Sequence, residues 1–274
     1  MDGSSFYKVF DMLAFDSGIW YTSSAKTVSY PGEGNALCFQ LEDSSFWFRH
    51  RNDCILAAAE RFSPLEPFFD IGGGNGFVSA ALQHAGREVV LIEPGQEGCF
   101  NARKRGIRHI ICGLLEDIPM DESSIGACGF FDVIEHIEDD LAMLKTTYQL
   151  MKPGGKIYIT VPAYSFLWSQ EDIDAGHYRR YSIPSARRLL QQVGFDVVYS
   201  SYLFSFLPLP IFLLRTVPHL SGSGNKPANH RQDHQSSKSG AIVERLMSWE
   251  LQRVKRQKTI AFGSSCFIVA EKKR

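Results

Sequence analysis

Two groups of residues in this chain have the types and spacing to do chemistry. The first is Phe69-Asp70-Ile71-Gly72-Gly73-Gly74-Asn75-Gly76, an apolar strand end that runs straight into a glycine-rich turn. A backbone without side chains lets a ligand approach closely, and glycine accepts the positive φ angles of such turns. Phe77 to Leu82 reads as the following helix, its N-terminal amides facing the same space. About twenty residues past the turn, Val89-Val90-Leu91-Ile92 ends on Glu93-Pro94, where a carboxylate accepts both hydroxyls of a ribose. The chemistry implied is nucleoside binding. The glycines fall as G-x-G-x-G, and Phe77 stands where a dinucleotide fingerprint needs its last glycine. Carboxylates at 70 and 93 also suit a pyrophosphate poorly.

The second group is Asp132-Val133-Ile134-Glu135-His136, followed downstream by Asp172, Asp174 and Gly176-His177-Tyr178-Arg179-Arg180-Tyr181. A helix beginning near 133 predicts that Asp132, Glu135 and His136 share one face at the mouth of a sheet. Such a face is a structural cap, an acceptor-positioning or general-base group, or a metal site. His177, among arginines and carboxylates, belongs either to an ion-pair network or to a binding loop on a rigid scaffold.

The elements that must position these groups alternate strand and helix. Strands are predicted at 68–72, 88–93, 108–112, 126–131 and 155–161, and helices at about 76–85, 96–105 and 137–151. Repeated βα units imply a parallel sheet with right-handed crossovers. A further αβ unit covers Ser182 to Tyr199, and Ser265 to Ala270 reads as a last strand. The domain reading is an N-terminal cap and leading helix over 1–62 and a core over 63–202. An insertion over 203–258 (apolar flap, mobile polar linker, amphipathic helix) precedes the last strand over 259–274. The leading helix is predicted from Asp53 to Phe62.

Composition narrows the partners. A net charge of -1 gives no footprint for nucleic acid. Six cysteines without a C-x-x-C pair read as reduced, buried thiols of a cytoplasmic protein. No apolar run is long enough to span a membrane, and no signal peptide is legible. The stretch 203–214, interrupted by Pro208 and Pro210, is either core, an oligomer contact or a flap touching a membrane peripherally. The basic segment 242–258 is a solvated helix face or a surface for anionic lipid.

The glycine turn with Asp70, Gly72, Gly73, Gly74, Asn75 and Gly76, together with Glu93-Pro94, resembles class I S-adenosylmethionine-dependent methyltransferases. The resemblance implies a Rossmann-like α/β sheet of seven strands, mostly parallel with an antiparallel last strand, and S-adenosylmethionine as cofactor. It implies that Asp70 serves the aminoacyl part of the cofactor and Glu93 the ribose. An acid two positions after the third strand commonly meets the adenine; here Leu114 stands there, so Leu114 and Leu115 are expected to supply apolar faces instead. The Asp132-x-x-Glu135-His136 string is similar to the Glu-x-x-Glu-His of quinone and small-RNA O-methyltransferases, where it accompanies a divalent cation. The segment after the fifth strand would hold the acceptor, giving Tyr164, Arg179, Arg180 and Tyr181 as substrate residues and His136 or His177 as base. His136 is preferred for its place at the sheet mouth. The expected acceptor is a small molecule, a glycan or a lipid-linked hydroxyl. A non-catalytic cofactor-binding scaffold, or a nicotinamide oxidoreductase, stands as the alternative.

Overall fold

The computed structural model describes residues 9–23, 34–62, 67–222 and 240–273. The expected linker at 221–240 falls largely outside the described residues, as do parts of the N-terminal segment.

In chain order the main elements are β1 (Ala14–Asp16), β2 (Ile19–Tyr21), α1 (Gly34–Leu41), α2 (Phe46–Phe62), β3 (Phe68–Ile71), α3 (Phe77–His84), β4 (Val89–Glu93), α4 (Gln96–Lys104) and β5 (His109–Cys112). Then come β6 (Ile125–Phe131), α5 (Asp140–Leu150), β7 (Met151–Pro162), α6 (Gln170–Asp174), α7 (Ile183–Val193) and β8 (Phe195–Leu203). The chain closes with α8 (Pro208–Ile211), α9 (Val217–Leu220), α10 (Ala241–Lys255) and β9 (Ser265–Lys272).

One sheet organises all of this, in the order β1-β2-β5-β4-β3-β6-β7-β9-β8. Strands β5, β4, β3, β6 and β7 are parallel, and β9 enters antiparallel between β7 and β8. These seven strands match the expected class I sheet. Alternation along β3 sends Phe68 to one face and Phe69 and Ile71 to the other, so apolar clusters form on both sides.

Part of the N-terminal segment, Ala14 to Tyr21, joins the sheet. Ser17 and Gly18, with φ of +50° and +83°, form the two-residue turn of a hairpin, and β2 pairs parallel with β5 at the sheet edge. Ile19 is fully buried there, beside Leu91 and Ile110. Trp20 lies between Phe10 and Phe15, with centroids 4.5 and 4.6 Å away, and is not among the residues lining the cleft.

Helix α2 begins at Phe46 rather than Asp53. Ser45 provides the start: its hydroxyl accepts the Trp47 N–H at 3.3 Å and its carbonyl the Arg49 N–H at 3.2 Å. The helix then buries Cys54, Ile55, Ala57, Ala58 and Ala59 against the sheet. Pro208 and Pro210 begin a helix instead of breaking one, because a first-turn proline forfeits no intrahelical bond. That helix runs through a π turn, Phe212–Thr216, into α9.

Candidate active site

A cleft of about 830 Å³ opens at the carboxyl ends of β3, β4, β6 and β7. Asp70, Gly72, Gly73, Gly74, Asn75, Glu93, Pro94, Leu114 and Leu115 all line it. Gly72, Gly74 and Gly76 have φ of +69°, +53° and +76°, which L side chains rarely adopt. A Cβ on Gly72 would also sit 2.8 Å from the Val133 methyls. Gly76 does not line the cleft. It starts α3 where that helix crosses α4, and a Cβ there would lie 2.9 Å from that of Ala102.

The two strand-end carboxylates are held by the turn itself. Glu93 accepts the Gly74 N–H at 2.9 Å and the Gly95 N–H at 2.7 Å. Asp70 accepts the Ser79 hydroxyl at 2.7 Å. Burial raises Asp70 to about 6 and Glu93 to about 7. Asn75 is held by other side chains, donating to Glu42 at 3.2 Å and accepting from Asn101 at 3.0 Å. Glu116 lines the cleft two residues beyond the position where Leu114 replaces the expected acid.

The second half of the cleft differs from its expected geometry. No α-helix starts at 133. Asp132 takes φ of +59°, a single 3₁₀ turn covers Ile134–His136, and α5 begins only at Asp140, capped by Asp139 through the Ala142 N–H at 2.9 Å. At this left-handed position Asp132 pairs with Arg51 of α2, and its charge still bears on Glu135. Arg51 is itself packed on the Trp47 and Phe48 rings, 4.7 and 5.4 Å from their centroids.

Glu135, His136 and His177 come together, with one ligand atom of each within 4.8 Å of the others. The imidazoles meet edge to face at 4.7 Å. Glu135 is 1% exposed, and its Oε2 has no hydrogen-bond partner. Burial, reinforced by Asp132, holds its carboxyl well above the usual range. Burial, then the neighbouring His177, lowers His136 to about 4.

His177 is held by Asp172, with Nδ1 and Oδ1 at 2.9 Å, which leaves Nε2 for other contacts. Arg180 grips both oxygens of the same carboxylate, at 2.7 and 3.0 Å. Burial opposes ionisation of Asp172, but the bonds from His177 and Arg180 outweigh it and bring its carboxyl to about 2. Asp172 also caps α6 through the Ser169 N–H at 2.9 Å.

The other substrate candidates lie outside the cleft lining. Arg179 pairs with Asp140 at 2.9 Å and donates to the Ile137 and Glu138 carbonyls. Tyr181 is buried and bonds Asp140 at 2.6 Å. Tyr164 stacks on Tyr202 and Phe262 at 5.0 and 5.3 Å. All three fasten the loop; of that quartet only Arg180 reaches the cleft. Sequence reading missed Glu42, just after α1, and Arg51 of α2, which line the cleft together with Trp47. The capping signal Ser169-x-x-Asp172 was available to mark Asp172 as fixed.

A family model for a methyltransferase domain matches residues 47–200, more than half of the chain. A probable S-adenosylmethionine-dependent methyltransferase of Mycolicibacterium smegmatis is 23% identical over 163 residues, covering 57% of this chain and 62% of that protein. The mitochondrial ubiquinone biosynthesis O-methyltransferase of Rattus norvegicus is 26% identical over 122 residues, covering 39% of this chain and 35% of that protein. The chain thus spans less than two thirds of the length of either relative. Its fold superposes at a TM-score of 0.57 and 16% identity on a chain of the Haloferax volcanii complex between the Trm112 activator and a methyltransferase, covering 90% of this chain and 100% of that one.

The chain belongs to the methyltransferase domain family. Its fold is the class I Rossmann-like sheet, and S-adenosylmethionine is the cofactor of that fold and family.

Proposed function

We propose that the protein transfers the methyl group of S-adenosylmethionine to a hydroxyl of a small, glycan or lipid-linked acceptor. The observation that carries the reading is the Glu135–His136–His177 cluster, one buried carboxylate and two half-buried imidazoles, in the same cleft as the glycine turn. A sulfonium is already an activated donor, so alignment of the acceptor supplies much of the rate. A hydroxyl must also lose its proton.

Asp70 and Glu93 would hold the aminoacyl and ribose parts of the cofactor, and Glu116 stands where an adenine amino group could be met. His177, oriented by Asp172, is the favoured proton acceptor. His136 is the poorer base because burial reduces its basicity. Glu135, His136 and His177 also fit a divalent cation: one buried carboxylate oxygen lacks a partner, and His177 has the carboxylate support common behind metal-ligating imidazoles. Bound there, a cation would supply Lewis acidity toward the acceptor oxygen. Asp132 would not be part of that set, since Arg51 holds it.

The test is label transfer from methyl-labelled S-adenosylmethionine to a panel of phenolic, glycan and polyisoprenoid hydroxyl compounds, with and without chelator. The expected product carries an alkali-stable methyl ether. His177→Ala should abolish transfer while S-adenosylhomocysteine binding persists. Label confined to nitrogen or carbon would overturn O-methylation, and full activity in chelator would exclude the cation.

A further inference from the structure

An exposed aliphatic face borders the cleft mouth. From Pro208 to Leu220 the chain runs as one rod through α8, the π turn and α9. On it Leu209, Leu213, Leu214, Val217 and Leu220 are 66%, 54%, 75%, 42% and 75% exposed. Single exposed leucines are ordinary, but a contiguous set on one short rod marks an interaction surface. The rod is not loose: Pro208 and Thr216 are buried, Arg215 pairs with Glu171 of α6, and Phe212 meets Phe166 at 6.2 Å.

Charge narrows what could cover it. From 203 to 222 the sequence has no carboxylate, only Arg215 and His219. The root of the rod lies beside α10, where Ser205, Ile242, Arg245, Leu246 and Trp249 border a second hollow. Helix α10 adds exposed Ile242 and Trp249, exposed Arg245 and Lys255 with Arg256 just beyond its end, and one exposed acid, Glu244. Its Glu250 faces inward, accepting the N–H groups of Phe204 and Ser205 at 2.8 and 2.7 Å and meeting His50 at 3.0 Å. The surface is therefore aliphatic with a basic flank. It also continues into the cleft, since Pro210 and Leu214 are exposed and line it.

We propose that the α8–α9 rod is a docking face for an anionic lipid bilayer, lying in the interface plane with the cleft opening toward the acyl boundary. A bilayer demands no hydrogen bonds from such a face and favours basic residues beside it. Protein interfaces are enriched in aromatic and arginine anchors with polar rims, whereas the exposed side chains of this rod, Leu209, Pro210, Leu213, Leu214, Val217 and Leu220, are all aliphatic. No helix among the described residues is long and apolar enough to cross a membrane, so the contact is peripheral. The docking stands apart from methyl transfer; only the route of an amphiphilic acceptor into the cleft rests on the proposed function.

The experiment is co-sedimentation of the full chain with vesicles of equimolar phosphatidylglycerol and phosphatidylcholine, at low salt. Binding is expected, weaker to pure phosphatidylcholine. The Leu213→Asp/Leu220→Asp variant should lose at least about tenfold in vesicle affinity. Neither residue lines the cleft, so its S-adenosylhomocysteine binding and Tm should match the parent. An Arg245→Glu/Lys255→Glu variant should lose the preference for phosphatidylglycerol. Absence of vesicle binding by the parent, or binding undiminished in the double Asp variant, overturns the proposal. So does a dimer on size exclusion that the double Asp variant dissolves, which would assign the face to a second copy. Failure of label transfer with intact vesicle binding would overturn only the proposed function.

Discussion

Asp70 and Glu93 are the residues whose titration the cofactor should feel most. Both carboxyls are raised by burial, to about 6 and about 7, above the ordinary carboxylate range. A folded-state pKa above the unfolded one contributes stability that is present in acid and lost as pH rises through the folded value. The free protein is thus expected to lose this contribution across about pH 4 to 7. An S-adenosylhomocysteine ammonium and ribose give the ionised carboxylates partners, so the Tm increase on binding should widen between about pH 5.5 and pH 8. Thermal scans with and without ligand measure this; a constant increment would remove both residues from the binding role. Glu93→Ala should weaken binding by about 1–3 kcal/mol in calorimetry, through lost hydrogen bonds to a charged group.

The helix that begins seven residues early matters most among the elements. Because Ser45 starts α2 at Phe46, Trp47 and Arg51 reach the cleft and Arg51 neutralises Asp132. Removing one member of a largely buried pair leaves the other without a partner, so Arg51→Ala should cost about 3 kcal/mol in urea unfolding. Arg51→Ala/Asp132→Asn should recover part of that loss. Equal stability of the single variant and the parent would show the pair to be solvated. The loop between β7 and α7 behaves as a second such unit: Arg179 and Tyr181 fasten it to the start of α5, and Arg180 with Asp172 orients His177.

The whole molecule extends its seven-stranded class I sheet with the β1–β2 hairpin, which covers the free edge of β5. Ile19 is fully buried in that extension. Ile19→Ala should therefore cost about 3 kcal/mol, as core truncations do, whereas a solvated cap would lose little. The sequence by itself determined the cofactor turn, because glycines at 72, 74 and 76 and an acid at 93 are local consequences of backbone conformation and strand length. The alternation of strands and helices was legible for the same reason, since burial imposes its period along the chain. What only the tertiary structure decided are the partners from distant segments. The single left-handed residue at Asp132 replaced a helix with a turn, moving Asp132 to Arg51 and leaving Glu135 and His136 to meet His177. Arg179 and Arg180 are neighbours of the same type, yet one fastens a loop and the other orients a histidine. Adjacent side chains diverge: Arg179 finds its counter-charge back at the start of α5, and Arg180 finds its own on the nearby α6.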